Sequence, residues 1–137
     1  MEKNFYVVGH ICELLKADLA LTIWKIYLDN DKKANTIKNL NNYICTAYSK
    51  TKVPTKLPKH YNESLENLCE ARSQFIAHND VSKCDTKVSM NELYNILDEI
   101  RKIYNSLCDK SIDNRVVHIL DSDTYALELK TIFSTLV

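Results

Sequence analysis

A chain of 137 residues with a single glycine, Gly9, and two prolines, Pro54 and Pro58, has few architectures open to it. Tight hairpins and sheet corners need backbone at positive φ, which glycine reaches without steric cost. An all-β or doubly wound fold would be hard to build from this chain, so a mostly helical one is expected. The length fits one domain, residues 1–137, large enough to bury a single core.

Apolar residues recurring every three or four positions outline five helices. The first, from about Asn4 to Leu28, carries Phe5, Val8, Cys12, Leu15, Leu19, Ile23 and Ile26 on one seam. Val7, Ile11, Leu14, Leu21, Trp24 and Leu28 form a second. A helix apolar over so wide an arc is central to the fold or covered on two sides, for example by a second subunit. "DNDKK" breaks the pattern, and Asn35 or Thr36 caps a second helix bearing Ile37, Leu40, Tyr43, Ile44 and Ala47. "SKTKVPTKLPK" (49–59) has no usable periodicity and reads as an extended, exposed loop.

The third helix runs from near Tyr61 to near His78, with Tyr61, Leu65, Leu68, Cys69, Phe75 and Ile76 inward. The fourth opens with a capping box, Ser89 to Glu92, and carries Leu93, Ile96, Leu97, Ile100, Ile103, Tyr104 and Leu107. "DSD" caps a fifth, with Tyr125, Leu129, Ile132, Phe133 and Leu136 inward. The expected fold is an all-α, antiparallel bundle of about five helices.

Basic and acidic residues balance at 18 each, so the chain lacks the overall basic excess common in nucleic-acid binders. The distribution is uneven. Seven lysines (Lys32, Lys33, Lys38, Lys50, Lys52, Lys56 and Lys59) fall between residues 32 and 62 with no acid among them. This stretch reads as a solvated, mobile lysine-rich loop or as a phosphate-facing patch. Five cysteines form no C-x-x-C pair; four of them lie in apolar helical runs, where a thiol behaves as a small core residue. Their odd number, with no signal peptide, points to the reducing cytoplasm and away from a zinc site. No apolar run reaches the ~18 residues of a membrane span.

One stretch is not explained by a bland helical reading: "LENLCEARSQFIAHNDVSK", residues 65–83. On a helix Leu65, Leu68, Arg72, Phe75, Ile76 and Asn79 share a face, so Arg72 stands where leucine would be the default. A guanidinium in an apolar stripe needs a reason, because burying it unpaired costs several kcal/mol. Its stem can pack while the head reaches a carboxylate, it can stand at the edge of the stripe, or the head can serve a ligand. His78 follows after about 600° of turn and ~9 Å of rise, on an adjoining face at the expected helix end. There it is a cap or, with "HND" beside it, part of a site.

"ARSQFIAHND" resembles the R-x(4–6)-H signature of the HEPN superfamily, with five residues between Arg72 and His78. The "R…IAHND" form is similar to its abortive-infection branch. "LALTIWKIYLDNDKKANTIKNL" resembles that branch's first-helix ending, and "DSDTYALELKTIF" its closing helix. The resemblance implies a dimeric helical bundle whose motif helices meet near the two-fold axis. It implies either a metal-independent endoribonuclease, often a toxin countered by an antitoxin protein, or a non-catalytic RNA-binding or scaffolding module. The matching positions are Arg72 and His78. Ser73 stands where the family has asparagine, aspartate or histidine.

RNA cleavage without a metal needs a base for the 2′-hydroxyl, an acid for the leaving 5′-oxygen and positive charge on the phosphorane. A histidine such as His78 shuttles protons near neutrality, and Arg72 offers a permanent planar cation. One chain supplies one motif histidine, so a homodimer would provide both acid and base. Asp80 would orient an imidazole and Asn79 would bind phosphate or the 2′-hydroxyl; Ser73, which can donate and accept a hydrogen bond at shorter reach, is a further auxiliary candidate. There is no phosphate-cradling glycine loop and no H-E-x-x-H, and no metal or cofactor is expected.

Overall fold

The computed structural model describes residues 2–50, 52–78 and 87–110, with side chains at 6–50, 52–74 and 87–109. Within them the protein is all-α, with no strand. Helix α1 spans Glu2–Ile23 and runs on through a π-helical turn, Trp24–Leu28. Helix α2 is Ile37–Tyr48, α3 is Asn62–His78 after a 3-10 turn at Lys59–Tyr61, and α4 is Met90–Lys110. The expected fifth helix lies outside the described residues.

The second half of α1 and its π-turn are the hub, packing against α2, α3 and α4. Ile23, Leu68, Leu93, Ile96 and Leu107 are almost wholly buried together with Val88. Each such side chain contributes about 1.5–3 kcal/mol through removal of apolar surface from water. The first half of α1 behaves differently. Every residue from 6 to 15 is exposed, so the wide apolar arc is covered only from Ala17 onward. Two further expectations are corrected. Cys12 and Cys69 are exposed and Cys45 is half-buried, leaving Cys108 as the buried thiol among those described. Ala71 takes the inward position on α3 that the apolar pattern suggested for Cys69.

Local chemistry sets the helix ends. The Thr36 hydroxyl accepts from the Asn39 amide N–H at 3.2 Å, as an N-cap. The Asn39 side chain donates to the carbonyls of Asp31 and Ala34, closing the turn before α2. With no glycine available there, α2 ends on Ser49 in the left-handed region, φ 51°, at a steric cost of about 1–2 kcal/mol. At α4 half of the capping box forms: the Glu92 N–H donates to the Ser89 hydroxyl at 3.1 Å. The Glu92 carboxylate turns to α3 and accepts from the Ser64 hydroxyl. Lys87 meets Glu70 at 3.9 Å. These two pairs tie α3 to the start of α4 and to the residue three positions before it.

Candidate functional site

Arg72 is half-buried on α3, next to the buried Ala71 and one turn after Leu68. Its guanidinium carbon lies 3.6 Å from the centroid of the Trp24 ring. A carboxylate was one expected partner for the head; an aromatic plane holds it instead. Among the described residues no carboxylate lies within ion-pair distance of Arg72. Stacking uses the face of the guanidinium and leaves its N–H donors in the plane available for an anion. Trp24 opens the π-turn, whose wider winding is closed by the Asp29 N–H donating to the Trp24 carbonyl at 2.9 Å. Such turns are rare and concentrate at functional positions.

The other motif residues divide. Ser73 is exposed, and its hydroxyl donates to the Cys69 carbonyl at 3.1 Å, one turn back on its own helix. His78 is the last residue of α3, and Asn79 and Asp80 lie outside the described residues. The structure therefore brings Arg72 together with Trp24, a residue the apolar pattern assigned to a core seam. Aromatic residues at helical spacing read as core whether or not a cation stacks on them, so the pattern carried no signal for this pairing.

Part of the lysine-rich stretch, residues 52–58, is anchored to the bundle at two points. The buried Asn41 clamps Val53 with two bonds, its amide donating to the Val53 carbonyl at 2.8 Å and its oxygen accepting from the Val53 N–H at 3.1 Å. The Leu57 N–H donates to the Tyr27 hydroxyl at 3.0 Å. Along residues 52–58 Lys52, Pro54, Lys56 and Pro58 are exposed while Val53, Thr55 and Leu57 turn inward. That is the period of an extended strand. The two prolines hide it at sequence level, since their fixed φ reads as punctuation.

A groove of about 950 Å³ opens on another side, between the turn before α2, α2 itself and α4. Ile26, Leu40 and Leu97 form part of its floor, and Lys32, Tyr43 and Tyr94 part of its rim. Arg101, also on its wall, is committed to Asp98, with Nη2 2.7 Å from Oδ1. Those hydrogen bonds from Arg101 hold the Asp98 carboxyl below its usual range despite partial desolvation, with Lys102 assisting. Glu99 and Asp98 in turn raise the Lys102 ammonium. This groove is a tertiary product of the π-turn, the turn before α2, α2 and α4, and has no local sequence signature.

Among the described residues no cluster of three His, Cys, Asp or Glu side chains is placed to hold a metal ion. Among them, too, no helix is long and apolar enough to cross a membrane. No family model, no curated protein and no solved structure matches this chain.

Proposed function

We propose that the chain is an RNA-directed domain of HEPN type, cleaving RNA in the cytoplasm by metal-independent transesterification as a homodimer. What supports the reading is one observation. Arg72 is a fixed cation, stacked on Trp24 with no carboxylate neutralising it among the described residues. A half-buried guanidinium held in that way is suited to the non-bridging oxygens of a phosphodiester.

In the reaction the 2′-oxygen bonds to phosphorus and the 5′-oxygen–phosphorus bond breaks. The 2′-hydroxyl proton passes to His78 of one protomer. The other protomer's imidazolium returns a proton to the leaving 5′-oxygen. The products are a 2′,3′-cyclic phosphate and a 5′-hydroxyl, with no metal, oxidant or cofactor consumed. Two motif histidines in one cleft are required, and a two-fold axis supplies them.

The test is cleavage of a generic RNA in EDTA. His78→Ala is expected to lower the rate by about 10²–10⁴, and Arg72→Ala to lower it comparably with folding retained. Equal rates in wild type and His78→Ala, or a requirement for a divalent ion, end the proposal. A second reading, a non-catalytic module holding RNA on Arg72, Lys52 and Lys56, is favoured by Ser73. Its hydroxyl is occupied by the Cys69 carbonyl, at the position where the resembled family carries a longer polar group. RNA binding without cleavage, lost in Arg72→Ala, would establish that reading.

A further inference from the structure

We propose that the groove between α2 and α4 is a binding site for a free long-chain carboxylate, with its anionic head on Lys32 and Lys33 and its tail along the two helices. Each wall is a single helix face. Thr36, Leu40 and Tyr43 recur at steps of four and three on α2. Tyr94, Leu97, Arg101 and Tyr104 recur at steps of three and four on α4. The cavity, about 950 Å³, is at the upper end of what small-molecule sites enclose. Tyr94 and Tyr104 are about 15 Å apart along the α4 axis, a length that suits a linear tail.

The floor accounts for the tail. Ile26, Leu40 and Leu97 pack against the core yet stay half-buried. At the rim Tyr43 and Tyr94 are 65% and 55% exposed. Apolar surface gathered in a concavity with few polar groups is what the hydrocarbon part of a ligand removes from water. Tyrosine fits such a rim, because its ring packs on a chain while its hydroxyl stays in water.

Charge selects the head. Lys32 and Lys33 stand on the turn that leads into α2, at one end of that wall. The turn is fixed, since the Asn39 amide donates to the Asp31 and Ala34 carbonyls at 2.9 and 2.8 Å. The neighbouring Asp29 and Asp31 carboxylates accept the backbone N–H groups of Asp31 and Lys33, each at 2.9 Å. Among the described residues neither lysine forms an ion pair. Asp98, the acid on the groove wall, is matched by Arg101 and Lys102 at 2.7 and 3.1 Å. Lys32, Lys33 and Arg101 against Asp98 leave the lining two positive charges in excess. A cationic end on an apolar trough complements one anionic head on a hydrocarbon tail, and a carboxylate accepts charge-assisted hydrogen bonds from both ammonium groups. Neither Arg72 nor Trp24 lines the groove. The inference therefore does not rest on the ribonuclease reading, and the two fail separately: one in a cleavage assay, the other in a titration.

The experiment is calorimetric titration of the full chain with dodecanoate below its micelle concentration, with amide chemical shifts recorded on the labelled protein. Saturable binding is expected, with shifts at Lys33, Leu40, Tyr43, Leu97 and Tyr104. Dodecyltrimethylammonium, the same tail with the opposite head, is expected to bind about tenfold more weakly or worse. Lys32→Gln combined with Lys33→Gln removes both charges from an exposed turn and is expected to weaken dodecanoate binding by about tenfold. Tyr94→Glu, at an exposed rim position, is expected to weaken it to a similar degree, with far-UV circular dichroism unchanged in both variants. A wild type without saturable binding overturns the proposal, because residues 111–137, a second copy or a partner's helix would then cover the groove. Equal affinity for the two heads overturns it too, as does undiminished affinity in both variants. So do shifts confined to residues 6–15, where exposed aliphatic side chains of α1 offer a competing apolar surface.

Discussion

Arg72 lies face-on to Trp24, with 3.6 Å between the guanidinium carbon and the ring centroid. The stack links α3 to the π-turn at the end of α1, joining an uncommon backbone turn to a cation set in an apolar stripe. A contact of this kind contributes about 0.5–2 kcal/mol. A double-mutant cycle of Trp24→Leu and Arg72→Met in urea should return a coupling energy of about 1 kcal/mol. Additive losses would mean that the stack has no energetic weight in solution.

Asn41 is a buried structural polar group on α2. Both ends of its side-chain amide are used on Val53. Asn41→Leu keeps the volume and removes both partners of a part-buried backbone N–H and C=O, at about 1–3 kcal/mol for each group left unmade. The variant should melt several degrees lower. The 52–58 segment should also lose amide-exchange protection, because Val53 is one of its two anchors. Unchanged protection would show that the segment holds without the clamp.

Asp98 makes stability pH-dependent in a definite direction. Hydrogen bonds from Arg101, and after it Lys102, hold its carboxyl below the ordinary value for an aspartate. A carboxyl lowered on folding adds stability that is fully present above its unfolded pKa and is lost as pH falls through its folded one. The side chain is 43% exposed, so solvent screening trims the pair to the surface range of about 0.2–1 kcal/mol. Asp98→Asn should be less stable than wild type by that much at neutral pH in low salt. The gap should close in strong acid and narrow in high salt; a gap that persists in acid would place its origin elsewhere.

Gly9 sits mid-helix in α1, and a Cβ built there meets nothing within 4 Å. Gly9→Ala should therefore raise helicity and add stability of up to about 1 kcal/mol, readable as a larger far-UV signal and a higher melting temperature. A destabilised variant would reveal a close neighbour at this position in the assembled protein.

Helix positions were legible because their signals are local. Thr36 before an apolar run, Ser89 three residues before Glu92, and the stripe from Leu93 to Leu107 each specify a start or a face within a few residues. The loop at 49–59 was read as extended and exposed; residues 52–58 alternate as an extended segment does, but Leu57 is buried and the two anchors were not foreseen. Asn41 and Tyr27, which hold it, are 12 and 30 residues away from their partners, and no local pattern reports such a bond.

Composition and periodicity alone pointed to a mostly helical chain: a single glycine makes the turns of sheet folds hard to build, and three-four spacing recurs in the long apolar segments. They also singled out Arg72, since a cation in an apolar stripe is anomalous wherever the stripe packs. They did not say that Trp24 would receive it, that the Glu92 carboxylate would cross to Ser64, or that burial would stop short of Leu15. Those outcomes depend on which helices come within a few ångströms of one another. Hydrophobic spacing states that a face seeks cover but carries no information about which partner provides it.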